Sequence, residues 1–155
     1  QVAGRAGRGE IPGRVVIQSY NTEDFSILSA SNHDYKAFYN QEIMVRENLV
    51  YPPFTNIAVM IFSGLYDKSV FNKAKEVFAR LKDYSEDSDN DILILGPSRA
   101  PLTKINNKYR WRIIIKCKDK EKLIDILSMT SDEYHKRKDK INVDMSMDIN
   151  PVSML

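Results

Sequence analysis

The run Lys108–Cys117 alternates without a break. Tyr109, Trp111, Ile113, Ile115 and Cys117 share one parity, and Lys108, Arg110, Arg112, Ile114 and Lys116 the other. Side chains of an extended chain point to opposite sides in turn, so this run is a strand with one apolar and one basic face. Such a strand is stable only in a sheet that buries its apolar side. Asn106-Asn107 stands just before it, and asparagines tolerate the left-handed backbone of a tight hairpin turn. The partner arm is Pro101–Ile105, preceded by a brief buried strand, Ile92–Leu95, which Gly96-Pro97 is expected to break.

The segments on either side follow the same logic. Asn56–Ser63 alternates, with Ile57, Val59 and Ile61 on one side, and Gly64 ends it. Asp67 is placed to cap a helix whose stripe is Val70, Phe71, Ala74, Val77, Phe78 and Leu81. Asp119 is placed to cap a second helix carrying Leu123, Ile124, Ile126 and Leu127, which runs on through Tyr134 to the basic His135-Lys136-Arg137-Lys138. Cations at a helix C-terminus offset its dipole. A last strand has Ile141, Val143, Met145, Met147 and Ile149 inward. The order strand, helix, strand, strand, helix, strand over residues 55–150 predicts an α+β, ferredoxin-like βαββαβ domain, with one antiparallel sheet carrying both helices on one face.

Ahead of that domain the pattern differs. Arg14–Tyr20 is β-branched and reads as a short strand; Asn21 or Thr22 is placed to cap a short helix, with Glu23 and Asp24 in its first turn. A longer helix is predicted over residues 34–49, with a Glu42–Arg46 pair at i,i+4, until Pro52-Pro53 stops it. The pattern resets at Thr55, so residues 55–155 are expected to form a domain of their own, after residues 1–30 and a helical linker over residues 31–54.

Composition narrows the function classes. No apolar run is long enough to span a bilayer, and a cytoplasmic setting is expected. Cys117 is the single cysteine, which excludes an internal disulfide and a cysteine-based zinc cluster. It reads as a small apolar residue closing a strand. His33 has no nucleophile to pair with and reads as a capping or packing residue. The methionines from Met129 to Met154 read as core filler or tail, and no metal site is expected. The net charge of +2 conceals five carboxylates and no base within Asp83–Asp91, so the other residues carry +7. Ser85–Asp91 is expected to be a solvated loop, because it lacks the glycine and terminal glutamate of a calcium loop. The positive excess elsewhere suits a polyanionic partner.

The chain opens with Gln1-Val-Ala-Gly4-Arg5-Ala-Gly7-Arg8-Gly9. Arg5 and Arg8 are three apart, so on a helical turn both guanidinium forks address one target while the glycines leave the backbone uncrowded. That arrangement suits the charge developing on a transferred phosphoryl group. The string resembles the last ATPase motif of superfamily 2 helicases. Farther on, His33-Asp34-Tyr35, Phe38-Tyr39, Glu42, Arg46, Tyr51-Pro52-Pro53-Phe54, Gly96-Pro97-Ser98, Ala100-Pro101, Tyr109-Arg110-Trp111-Arg112 and the ending from Asp148 to Leu155 resemble the bacterial replication-restart helicases, the PriA family. The resemblance covers essentially the whole chain. It departs at Asn150-Pro151, where Asp-Pro is the family's pattern, which touches only a local turn or cap.

The resemblance implies a C-terminal piece of an ATP-dependent 3′-5′ DNA helicase that recognises stalled or branched forks and restarts replication by primosome assembly. It implies that residues 1–30 end the second RecA-like lobe and that the terminal domain is similar to ribosomal S10. It further implies that Arg5 and Arg8 are arginine fingers, and that Gln1, Gly4, Arg5 and Arg8 meet ATP phosphates held by a lobe this chain lacks. ATP and Mg²⁺ belong to the longer protein, as does zinc. No Gly-x-x-x-x-Gly-Lys occurs here, and the chain starts at Gln, so it is expected to be a fragment that does not hydrolyse ATP alone. The implied partners are branched and single-stranded DNA, the acidic tail of single-stranded DNA-binding protein and other primosome proteins, at the bacterial nucleoid, with no membrane.

Read from the residues alone, the candidate binding surface is basic. Lys108, Arg110, Arg112 and Lys116, with Lys104 across the hairpin turn, are expected to gather positive charge on one sheet face, for DNA, an acidic tail or both. The alternative reading is a stand-alone, ribosomal S10-like nucleic-acid-binding or interaction module with a basic N-terminal arm.

Overall fold

A computed structural model describes residues 13–86, 92–136 and 142–152. Contacts divide the chain into two units, Gln1–Val45 and Arg46–Leu155.

In the first unit, residues 13–20 form no strand. A β-branched run becomes a strand only when a neighbour completes its hydrogen bonds, and none of the strands below pairs with it. Helix α1 spans Phe25–Ser31, and its cap is Asp24 rather than Asn21 or Thr22: the Asp24 carboxylate accepts the Ser26 N–H at 2.9 Å. The Ser26 hydroxyl, donating to the same oxygen at 2.5 Å, and then this N–H hold the Asp24 carboxyl below its usual range. Helix α2 spans Tyr35–Asn48, with the Asp34 carboxylate accepting the Ala37 N–H at 2.9 Å at its start. Between them His33 takes the left-handed conformation at φ 54° and is exposed, so it is a connector. Phe25 stacks on Phe38 with ring centroids 5.9 Å apart, joining the two helices.

The second unit is the expected α+β domain. Its elements are β1 (Asn56–Gly64), α3 (Asp67–Glu86), β2 (Ile92–Ile105), β3 (Lys108–Cys117), α4 (Lys120–Lys136) and β4 (Asp144–Ile149). The strands form one antiparallel sheet in the order β2-β3-β1-β4. With β1 and β3 central and a helix in each crossover, this is the ferredoxin-like arrangement. The core lies between sheet and helices. From α3 come Val70, Ala74, Val77 and Leu81, and from α4 Leu123 and Leu127. They meet Ala58, Met60 and Phe62 of β1, Ile113, Ile115 and Cys117 of β3, Ile94 of β2 and Val143. Met145 and Met147 pack against this cluster, as their parity requires, while Ile141 lies outside the described residues. Ile124 is on the outer side of α4 and substantially exposed. Asp119 caps α4, accepting from the N–H groups of Glu121 and Lys122 at 2.8 and 3.1 Å.

Ile57, Val59 and Ile61 share one face of β1 as expected, and two other local readings, in β2 and α3, are corrected. In β1 the residues that face the helices are Ala58, Met60 and Phe62. Ile57, Val59 and Ile61 pair in register with Lys116, Ile114 and Arg112 and so line the opposite face. Both parities of a central strand are apolar, and alternation alone does not say which one meets the helices. In β2 the Gly96-Pro97 step does not end the strand; it shifts the register between Leu95 and Ser98, and the strand continues to Ile105. Gly96 has φ 120°, and a Cβ there would sit 2.9 Å from the Arg112 carbonyl oxygen, so only glycine fits. Finally, α3 runs through Glu86, so Ser85 and Glu86 are helical, while residues 87–91 of the acidic run lie outside the described residues.

Candidate nucleic-acid interface

The basic face of β3 is the sheet face turned away from α3 and α4. Lys108, Arg110 and Arg112 lie on it by parity, with Arg110 opposite Ser63 and Arg112 opposite Ile61 on β1. Lys108 extends to Asp144 at the start of β4, with Nζ 2.6 Å from Oδ2. Both groups are well exposed, so the pair is weak.

Lys116 shares the parity but not the role. It is 7% exposed; its Nζ donates to the Leu49 carbonyl oxygen at 2.7 Å and lies 4.0 Å from the Tyr51 ring centroid. Burial lowers its pKa below the ordinary lysine value. The segment after α2 thus covers that end of the open face, and Lys116 belongs to its packing rather than to an exposed strip.

Lys104 is displaced in another way. Its register partner is Tyr109, so it lies on the helix-side parity, opposite to Lys108, with Nζ 4.8 Å from the Tyr109 ring centroid. The expected single basic face is therefore split at the hairpin: Lys104 is on one side, Lys108 and Arg110 on the other. The turn itself is as expected, with Asn106 and Asn107 at φ 49° and 63° between the paired Ile105 and Lys108.

A second register shift, between Arg99 and Lys104, makes residues 100–103 bulge from β2. Arg110 holds the bulge by donating to the Leu102 carbonyl oxygen at 3.3 Å. The Leu102 and Ile105 side chains stay 51% and 40% exposed. Leu102 stands on the bulge, whereas Ile105 is in register opposite Lys108, on the face turned away from the helices.

The hairpin root is braced on α3. The Asp67 carboxylate accepts the Trp111 indole N–H at 2.8 Å and the Arg99 guanidinium at 2.7 and 3.4 Å. Arg99 in turn lies 5.0 Å from the Trp111 ring centroid, and Phe71 packs on that ring at 4.6 Å. The Trp111 hydrogen bond, then Arg99, hold the Asp67 carboxyl below its usual range. Asp67, expected as a cap, stands instead in the first turn of α3 and serves the hairpin.

Beside Lys108 a cavity of about 330 Å³ is lined by Gly64, Leu65, Tyr66, Ser69, Asn142 and Val143. Asn150, at φ 49°, ties the end of β4 to β1. Its Oδ1 accepts the Ile57 N–H at 2.9 Å, its own N–H donates to the Ile57 carbonyl oxygen at 2.7 Å, and its Nδ2 donates to Asn56 Oδ1 at 3.1 Å. Gln1, Gly4, Arg5 and Arg8 lie outside the described residues. Among the described residues, no three His, Cys, Asp or Glu groups gather as a metal site, and no helix is long and apolar enough to cross a membrane.

Residues 47–152 match the family described as the primosomal protein N C-terminal domain. The chain is similar to the replication restart protein PriA of Bacillus subtilis, 34% identical over 155 residues, which are 100% of this chain and 19% of that protein. The Borreliella burgdorferi protein of the same name is 32% identical over 155 residues, covering 100% and 23%. That of Chlamydia pneumoniae is 40% identical over 116 residues, covering 75% and 15%. The chain thus spans about a fifth of the length of these relatives. The de novo designed protein Foldit4 is similar at a TM-score of 0.42 and 14% identity, over 61% of this chain and 96% of that one; the ferredoxin-like assignment rests on the strand order.

Proposed function

The chain belongs to the PriA replication-restart family, through that family's C-terminal domain, and from that premise we propose that it is the DNA-contacting end of an ATP-dependent helicase. In this reading the domain engages branched DNA at stalled forks so that the primosome reassembles there, in the bacterial cytoplasm at the nucleoid. The observation that carries it is the alignment of Lys108, Arg110 and Arg112 on a sheet face that neither long helix of the domain covers. A cationic face of this kind takes up phosphates and releases their counterions.

The ATP chemistry stands on sequence alone. Arg5 and Arg8 are proposed as arginine fingers, with Gln1 and Gly4 beside the nucleotide. The phosphate loop and the Mg²⁺ carboxylate would come from a lobe that is not in this chain, because the sequence contains no Gly-x-x-x-x-Gly-Lys.

The test is the salt dependence of fork binding. Lys108→Glu with Arg110→Glu is expected to weaken binding to a forked duplex and to flatten the slope of log K against log salt by about 2, since each phosphate contact contributes roughly 0.9. An unchanged slope sinks the assignment. The cavity beside Lys108 favours a second reading, in which an acidic protein tail seats an apolar side chain there and its carboxylate on Lys108. The candidate is the tail of single-stranded DNA-binding protein. A tail peptide that binds equally well with its terminal carboxylate amidated removes that reading.

A further inference from the structure

The β2–β3 hairpin ends in a combination that solubility and core packing leave unexplained. Leu102 and Ile105 are half-exposed aliphatic side chains at its tip, one on the bulge and one beside the Asn106-Asn107 turn. Around them stand Lys104 on one face of the hairpin and Lys108 with Arg110 on the other. Arg110 fixes the bulge through the Leu102 carbonyl, and the brace of Asp67, Arg99 and Trp111 holds the root. The tip is apolar, its base is stiff, and cations lie on both sides.

Aliphatic residues flanked by Lys and Arg are what proteins insert between base steps, unstacking them at about a few kcal/mol per step. That expense is least for a base pair already unstacked on one side, as at a branch. Cations on a single face would suit one strand lying along it. Cations on opposite faces suit two strands that part around the hairpin. We propose that the β2–β3 hairpin is a strand-separating wedge, with Leu102 and Ile105 inserted at the base pair adjoining a DNA branch. Lys104 takes the phosphates of one parting strand, and Lys108 and Arg110 those of the other. The inference rests on the reading that this chain binds forked DNA, and adds to it where the DNA opens and what opens it.

The experiment places 2-aminopurine in the base pair next to the branch of a forked duplex. Fork binding is followed by anisotropy and unstacking by the 2-aminopurine emission. The chain is expected to raise the emission on binding, and to leave it unchanged when the label lies one helical turn inside the duplex. Leu102→Ser with Ile105→Ser, both exposed and so expected to keep the melting temperature, should still bind the fork with the same salt slope but lose the emission rise. Binding without a rise in the unmodified chain overturns the wedge and leaves the DNA-binding reading standing, as does a rise that survives the double substitution. Absence of fork binding overturns both. Anionic vesicles of phosphatidylglycerol that compete with the fork for the Leu102 and Ile105 side chains would reassign the tip to a lipid surface and overturn the wedge.

Discussion

Asp67→Ala removes the shared acceptor at the hairpin root, and the geometry sets the size of the effect. The carboxylate takes a partly buried indole N–H at 2.8 Å; a hydrogen bond to a charged group contributes about 1.5–3 kcal/mol. The guanidinium of Arg99 is half exposed, so its pairing with Asp67 adds no more than about 1 kcal/mol. Loss of an acidic residue from the first turn of α3 costs about 0.3–1 kcal/mol more. These terms share one side chain and are not additive, so about 2–3 kcal/mol is the expected loss in urea unfolding, with the m-value unchanged. Asp67→Asn keeps an acceptor for the indole and removes only the charge, so it should lose about half as much. Acidity gives an independent check. The Asp67 pKa is lower folded than unfolded, so its stabilisation is complete above the ordinary carboxylate range and disappears as pH falls through the lowered value. The difference in stability between the original chain and Asp67→Ala must therefore narrow on acidification. A loss below about 0.5 kcal/mol, within the range of an ordinary surface change, or a difference independent of pH, would refute the brace.

Other outcomes follow from single contacts. Gly96→Ala puts a Cβ 2.9 Å from the Arg112 carbonyl at φ 120°; it should cost about 1–3 kcal/mol or more in thermal unfolding, and a neutral result would mean the β2 bulge is not fixed there. Lys116→Met removes a lysine whose pKa burial has lowered. Between that lowered value and the ordinary lysine value the unfolded chain binds more protons, so stability rises with pH there. The substitution should abolish that rise in alkaline urea titrations, and parallel curves for the two proteins would count against burial as the cause.

The fold was legible where one face of an element is polar. The stripe of α3, the parity of β3 and the Asn106-Asn107 turn each follow from one local rule, because in each case solvent marks the outer side. Legibility failed where both sides are apolar or where a distant residue decides. In β1, Ile57 and Ala58 are buried on opposite faces, so nothing local selects the side that meets the helices. Asp67 reads as a cap because it precedes a helical stripe; its partners Arg99 and Trp111 lie 32 and 44 residues away, beyond any local pattern. From the sequence, Asn150 is a departure that touches only a local turn or cap. Its Nδ2 donates to Asn56 across 94 positions, a bond that a carboxylate lacks the hydrogen to make.

The same distinction explains why the basic face was only half legible. Period two assigns Lys108, Arg110 and Arg112 to one face correctly, since it counts along a single strand. It assigns Lys104 wrongly, because that residue's side is set by pairing across a turn, where Ile105 opposes Lys108 and Lys104 opposes Tyr109. Lys116 keeps the right parity and still leaves the surface, because the Leu49–Tyr51 segment folds over it. Each displacement moves positive charge off a continuous strip and leaves it concentrated about the hairpin tip. A strip along a strand suits one phosphate backbone lying along it; cations divided between two faces suit two strands that diverge. In the proposed wedge the register of one hairpin carries the distinction between holding DNA and parting it, and the Lys104–Tyr109 pairing is the contact on which the proposal turns.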